Sequence, residues 1–177
     1  RSDGQWSEIA SKNRLDLGFD GGWPPSGRNC PFTTDSERKS FTCYQDGPEQ
    51  PRFALIGDSK AGALLLGLFR TSERGGRWVY FGSGGDGPLL PIQTNDPSYA
   101  GYNKSMPAAA LKYVAASKGI DTVVIAAAAR AFFHINRDDS IVSLPNTVYY
   151  QSALDALDNY VRRIIDSGMR VLLVADN

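Results

Sequence analysis

From residue 52 onward, four short apolar runs recur along the chain: Phe53-Ala54-Leu55-Ile56, Trp78-Val79-Tyr80-Phe81, Thr122-Val123-Val124-Ile125-Ala126-Ala127 and Val171-Leu172-Leu173-Val174. None alternates apolar with polar side chains, as a strand with one wet face does. Strands apolar throughout are covered on both faces, the condition of a parallel sheet between helices. The intervening segments supply helices. Residues 61–69 place Leu64, Leu65 and Leu68 on one helical face. Ser105-Met106-Pro107 reads as an N-cap with proline in the first turn, opening a helix to about residue 117. Lys118-Gly119 reads as its end, a cation followed by a C′ glycine. Asn146 or Thr147 caps a longer helix that carries Leu154, Leu157, Val161, Ile164 and Ile165 at helical spacing and ends at Gly168. This strand–helix order predicts a three-layer α/β/α, flavodoxin-like domain over residues 52–177. Ligand sites in such sheets lie beyond the carboxyl ends of the strands. That edge is expected to carry Asp58-Ser59, residues 82–87 and the residues after Ala129 and Val174.

Residues 1–51 read differently. Gly21-Gly22-Trp23-Pro24-Pro25 and Gly47-Pro48 are turn and breaker signals, so an irregular N-terminal extension or linker is expected. Both cysteines of the chain, Cys30 and Cys43, fall within it. Paired, they close a loop of about 14 residues, worth roughly 3 kcal/mol in the chain-entropy model. A disulfide there suits an oxidising compartment; the other reading is two reduced cytosolic thiols.

Lys plus Arg and Asp plus Glu each number 19, so the formal net charge is zero. That argues against a nucleic-acid binder or a polybasic membrane-surface protein, which need concentrated positive charge. With one histidine, His134, and two cysteines, a metal site built on those side chains is not expected either, and no cofactor is implied. The longest apolar run, residues 123–129, stops at Arg130, well short of the roughly 20 residues that span a bilayer. The polar opening Arg1-Ser2-Asp3-Gly4 is not a signal peptide. A start without Met reads as a fragment or a processed product. A doubly wound domain seldom stops on a strand, so a further segment is expected after Asn177.

Three places hold residues suited to chemistry. In Leu55-Ile56-Gly57-Asp58-Ser59-Lys60-Ala61 a strand runs through a tight turn into a helix. A serine opening that helix would stand at the ligand edge beside free N–H groups, as a nucleophile requires. The alternative is that Asp58 or Ser59 simply caps the helix. In Gly82-Ser83-Gly84-Gly85-Asp86-Gly87-Pro88 a glycine N–H is available as an oxyanion donor, or the segment is an ordinary glycine-rich loop. After Ala126-Ala127-Ala128-Ala129, Arg130 is placed to bind an anionic or sugar group or to pair with a surface carboxylate. His134 lies close behind it, either near Ser59 or as an exposed loop histidine.

Gly57-Asp58-Ser59 after an apolar strand resembles block I of the SGNH/GDSL hydrolase superfamily. The ordered set resembles, more specifically, the periplasmic SGNH domain fused to bacterial acyltransferase-3 membrane proteins. It comprises Cys30 and Cys43 upstream, the Gly-Gly-Asp-Gly-Pro-Leu-Leu loop, the strand ending Ala128-Ala129-Arg130, and the strand Val171 to Val174 running into Ala175-Asp176-Asn177, over roughly residues 28–177. The resemblance implies Ser59 as nucleophile, with Asp58 supporting the turn. It implies the Ser59 N–H and that of Gly84 or Gly85 as oxyanion donors, with Arg130 and Lys60 near substrate. It implies an acyltransferase-3 transmembrane domain preceding this one in the same polypeptide, and a periplasmic site of action. The activity implied is O-acylation, chiefly O-acetylation, of a cell-surface polysaccharide such as a lipopolysaccharide O-antigen. A carbohydrate esterase and a non-catalytic glycan-binding module, with Tyr99 or Tyr102 as contacts, are the alternatives. Three features depart from the pattern. Lys60 stands where this subfamily commonly has His, the block III Asn is missing, and the Asp-x-x-His block that supplies the base is not in this sequence.

Overall fold

The computed structural model describes residues 28–30, 33, 41–47, 49–71, 77–82, 105–129 and 148–176. Among these the elements follow as β1 (Arg28–Asn29), β2 (Thr42–Gln45), β3 (Phe53–Gly57), α1 (Ser59–Thr71), β4 (Trp78–Gly82), α2 (Ser105–Ala116), β5 (Thr122–Ala128), α3 (Val148–Asp166) and β6 (Arg170–Asp176). The strands form one sheet in the order β1-β2-β4-β3-β5-β6. β4, β3, β5 and β6 run parallel, as their uninterrupted apolar character predicts. β1 and β2 add antiparallel beside β4. They come from the segment that reads as irregular in sequence. Thr42-Cys43-Tyr44-Gln45 alternates half-buried with buried positions, a period-two signal too short to stand out among the neighbouring Gly and Pro.

Side chains leave the sheet alternately, and helices cover both faces. Leu55, Trp78, Tyr80, Val124 and Ala126 pack on one side with Ala61 and Leu65 of α1. Ala54, Ile56, Phe81 and Ile125 pack on the other with Met106 and Val114 of α2 and Tyr160 and Ile164 of α3. This is the three-layer α/β/α arrangement. Each fully buried side chain of the size of Leu65 or Ile164 contributes about 1.5–3 kcal/mol. The Tyr160 hydroxyl donates to the Pro107 carbonyl at 3.0 Å and ties α3 to the first turn of α2. β6 is the outer strand, and Leu172, Leu173 and Val174 are exposed along it.

α3 ends as expected. Gly168 adopts φ +87°, and the amides of Ser167 and Gly168 bond back to the Ile164 and Ile165 carbonyls. Gly119 does not adopt the left-handed conformation expected of a C′ glycine. A β-carbon there would lie 2.8 Å from the Gln50 side chain, so the glycine permits a close approach instead. The expected caps Asn146 and Thr147 lie outside the described residues.

Cys30 and Cys43 form a disulfide with Cα atoms 5.5 Å apart. Both are buried in the core, and Cys43 sits opposite Phe81 in the β2–β4 register. The bond therefore closes the edge hairpin on itself, and the β2–β4 pairing joins that hairpin to the strand that leads into residues 82–87.

The chain crosses from β3 to β4 in one direction, then from β4 past β3 to β5 in the other. The strand order reverses there, so the carboxyl ends of β3, β4 and β5 form the crevice where open α/β sheets receive ligands.

Candidate active site

β3 reaches this crevice at Gly57, in register with Gly82 of β4 and Ala126 of β5. A β-carbon on residue 57 would lie 1.8 Å from the Ala126 carbonyl oxygen and 2.7 Å from the Ala61 β-carbon. Backbone cannot yield by that much, so only glycine carries the strand into the helix here.

Asp58 follows and is 5% exposed. Its Oδ1 accepts from the Lys60 N–H at 2.8 Å, and its Oδ2 accepts from the Ala128 N–H at 2.9 Å. Its carbonyl accepts from the Gly62 N–H at 3.0 Å and closes the first turn of α1. Asp58 is thus the N-cap of α1 and also pins the start of that helix to the last residue of β5.

Ser59 takes the first helical position and is exposed. Because Asp58 does the capping, the Ser59 hydroxyl is not required for it. None of the hydrogen bonds among the described residues engages that hydroxyl. The first turn of α1 contains no acidic side chain of its own; the one carboxylate at this helix end is the capping Asp58. An exposed hydroxyl at the amino end of a helix is the kind of placement a nucleophilic serine uses in acyl chemistry.

Lys60 is exposed beside Ser59. Gly84, Gly85, Arg130, His134, Tyr99 and Tyr102 lie outside the described residues. Among the described residues, no three His, Cys, Asp or Glu side chains gather as a metal-ligand set.

Tyr80 is a feature that sequence reading misses. It is 5% exposed, and its ring leans along β4 so that the hydroxyl lies 1.9 Å from where a Gly82 β-carbon would be. Burial, then the Asp58 charge and Tyr44, push the phenol up to about 12. The available signal was a large residue two positions before a glycine on one strand face.

The family model for the SGNH domain fused to AT3 domains matches residues 20–177. The chain belongs to this family. No curated protein and no solved structure matches it. The SGNH domain falls within the esterase/acyltransferase superfamily, and its fusion to AT3 domains makes it an acyltransferase-associated module of a membrane protein. No helix among the described residues is long and apolar enough to cross a membrane. The match begins upstream of the disulfide and of β1 and β2.

Proposed function

We propose that this SGNH domain transfers an acyl group, in the simplest case acetyl, to a hydroxyl of a cell-surface polysaccharide through an ester on Ser59. The polysaccharide is of the lipopolysaccharide O-antigen kind. The reading is supported above all by the division of labour at the turn. Asp58 takes the cap and the bond to β5, leaving the Ser59 hydroxyl exposed at the amino end of α1.

In this reaction Ser59 Oγ attacks the acyl carbonyl and gives its proton to a base. The Ser59 N–H and that of Gly84 or Gly85 hold the oxyanion, and the donor's leaving group departs with a proton. A sugar hydroxyl then attacks the ester, passes its proton to the base and restores Ser59. Water in place of the sugar makes the same site a carbohydrate esterase. The base is His134 or a histidine outside this sequence. Arg130 and Lys60 contact the acceptor. An acyltransferase-3 transmembrane domain, preceding this one in the polypeptide, delivers the acyl group to the periplasmic side. The buried disulfide fits that compartment.

A second reading, a non-catalytic glycan-docking module, is favoured by Lys60 after the serine and by Ala128-Ala129-Arg130 where an Asn donor is usual. Ser59→Ala in the full-length membrane protein separates the two. Transfer predicts loss of polysaccharide acylation and of labelling by a serine-reactive phosphonate. Docking predicts unchanged acylation.

A further inference from the structure

β6 borders the sheet, yet it is composed like the strands inside it. From Val171 to Ala175 it holds no charge, proline or glycine. Natural sheets blunt a free edge with short strands and charges. The opposite border does so, since β1 is two residues long and begins with Arg28. β6 is instead exposed on both of its faces. Leu172 and Val174 project on the α1 side and Leu173 on the α3 side, as set by their partners Val124, Ala126 and Ile125 in β5.

α3 carries a matching surface. Its rotation is fixed by Tyr160, whose hydroxyl reaches the Pro107 carbonyl of α2. Ile165 lies about 140° round the helix from Tyr160, on the flank turned away from α2. Val161 one turn earlier and Leu154 two turns before that fall on the same flank and are half-buried. Ile165 and Leu173 are each 52% exposed. The outer flank of α3 and the adjoining face of β6 thus make the wall and floor of one apolar trough.

We propose that this trough seats a helix of the same polypeptide, the crossover of one more helix–strand unit that follows β6, and that the strand of that unit pairs parallel with the free edge of β6. From β4 the chain steps to β5 and then to β6 in one direction, crossing each time on the face of α2 and α3. Crossovers between parallel strands are right-handed in nearly all sheets. A further step in the same direction therefore keeps its helix on the α3 face, in the trough, and brings its strand to the unpaired backbone of β6. One unit accounts for the wall, the floor and the edge together. Pairing of β6 with a second copy of the chain would use the edge but does not call for an apolar stripe along α3. The seat is independent of whether Ser59 forms an ester.

The test replaces Ile165 or Leu173 by the photoreactive residue benzoylphenylalanine in the full-length membrane protein, with Asp155, exposed on α3, replaced as a control. After irradiation the joined peptides are read by mass spectrometry. Positions 165 and 173 are expected to join one and the same stretch of their own chain beyond residue 177, and position 155 to join nothing. Joining to a second copy, to the transmembrane domain or to a peptide within residues 1–177 overturns the proposal. So does the absence of any product at 165 and 173, which leaves the trough open to water. Should the large probe disturb folding, Ile165→Cys and Leu173→Cys decide by their reaction with a hydrophilic maleimide. In the native protein both are expected to react at least about tenfold more slowly than Asp155→Cys, because a covered thiol reacts only through local opening. Rates equal to that of Asp155→Cys overturn the proposal.

Discussion

Asp58 makes two bonds with its two carboxylate oxygens, and two substitutions take them apart. Asparagine caps helices about as well as aspartate, so Asp58→Asn keeps an acceptor for the Lys60 N–H at the Oδ1 position. Its amide nitrogen then faces the Ala128 N–H, donor against donor, where Oδ2 accepted at 2.9 Å. The lost bond is to a charged acceptor and leaves a part-buried N–H without a partner, at a cost of about 1.5–3 kcal/mol. Alanine removes the cap as well, adding about 0.5–2 kcal/mol and bringing the total to roughly 2–5 kcal/mol. A domain of ordinary stability has about 5–15 kcal/mol in all, so Asp58→Ala leaves it marginal. Urea unfolding followed by tryptophan fluorescence reads this directly. With m of about 2 kcal/mol/M, the Asp58→Ala midpoint falls by about 1–2.5 M and that of Asp58→Asn by a smaller amount at unchanged m. A wild-type midpoint for Asp58→Asn refutes the contribution of the Ala128 bond. Equal midpoints for the two variants refute the capping role.

Three further outcomes follow from the same geometry. Gly57→Ala drives a methyl into the Ala126 carbonyl at 1.8 Å and is expected to cost about 3 kcal/mol or more, measured as a fall in urea midpoint, with β3 and β5 forced apart. Reducing the Cys30–Cys43 bond, or replacing both cysteines by serine, is expected to remove about 3 kcal/mol, read as the difference in unfolding with and without reductant. The Arg52 guanidinium at 2.6 Å, with Thr122 and Arg170 nearby, holds the Asp121 carboxyl below its ordinary range. A group depressed in the folded state stabilises above its unfolded value near 3.9 and loses that stabilisation as pH falls through the folded one. Asp121 is more than a third exposed, so solvent screening limits the effect to a few tenths of a kcal/mol. Asp121→Asn should accordingly be slightly less stable than wild type at neutral pH, with the difference closing in acid.

The parallel strands are legible in sequence because burial on both faces leaves a signature in every residue of the run: β3, β4 and β5 are buried almost throughout. β6 has the same composition but lies exposed at the edge, so composition alone does not report position in the sheet. β1 and β2 escape the same reading because an edge hairpin of this length has too few positions to show a period. Its place in the sheet comes from pairing with β4, a contact between segments distant in sequence.

The candidate site shows the same division more sharply. Gly57-Asp58-Ser59 is visible as a motif, and the helix it opens is visible from its leucines. Which of Asp58 and Ser59 caps that helix is not, because both are good capping residues and the local energies differ by less than 1 kcal/mol. The choice is made by β5. The Ala128 N–H offers Asp58 a second bond that a serine at the cap would have to share, and a carboxylate has two oxygens to satisfy two donors in different directions. A motif in the sequence thus names two candidates for the cap, and a contact spanning the sheet determines that Asp58 takes it.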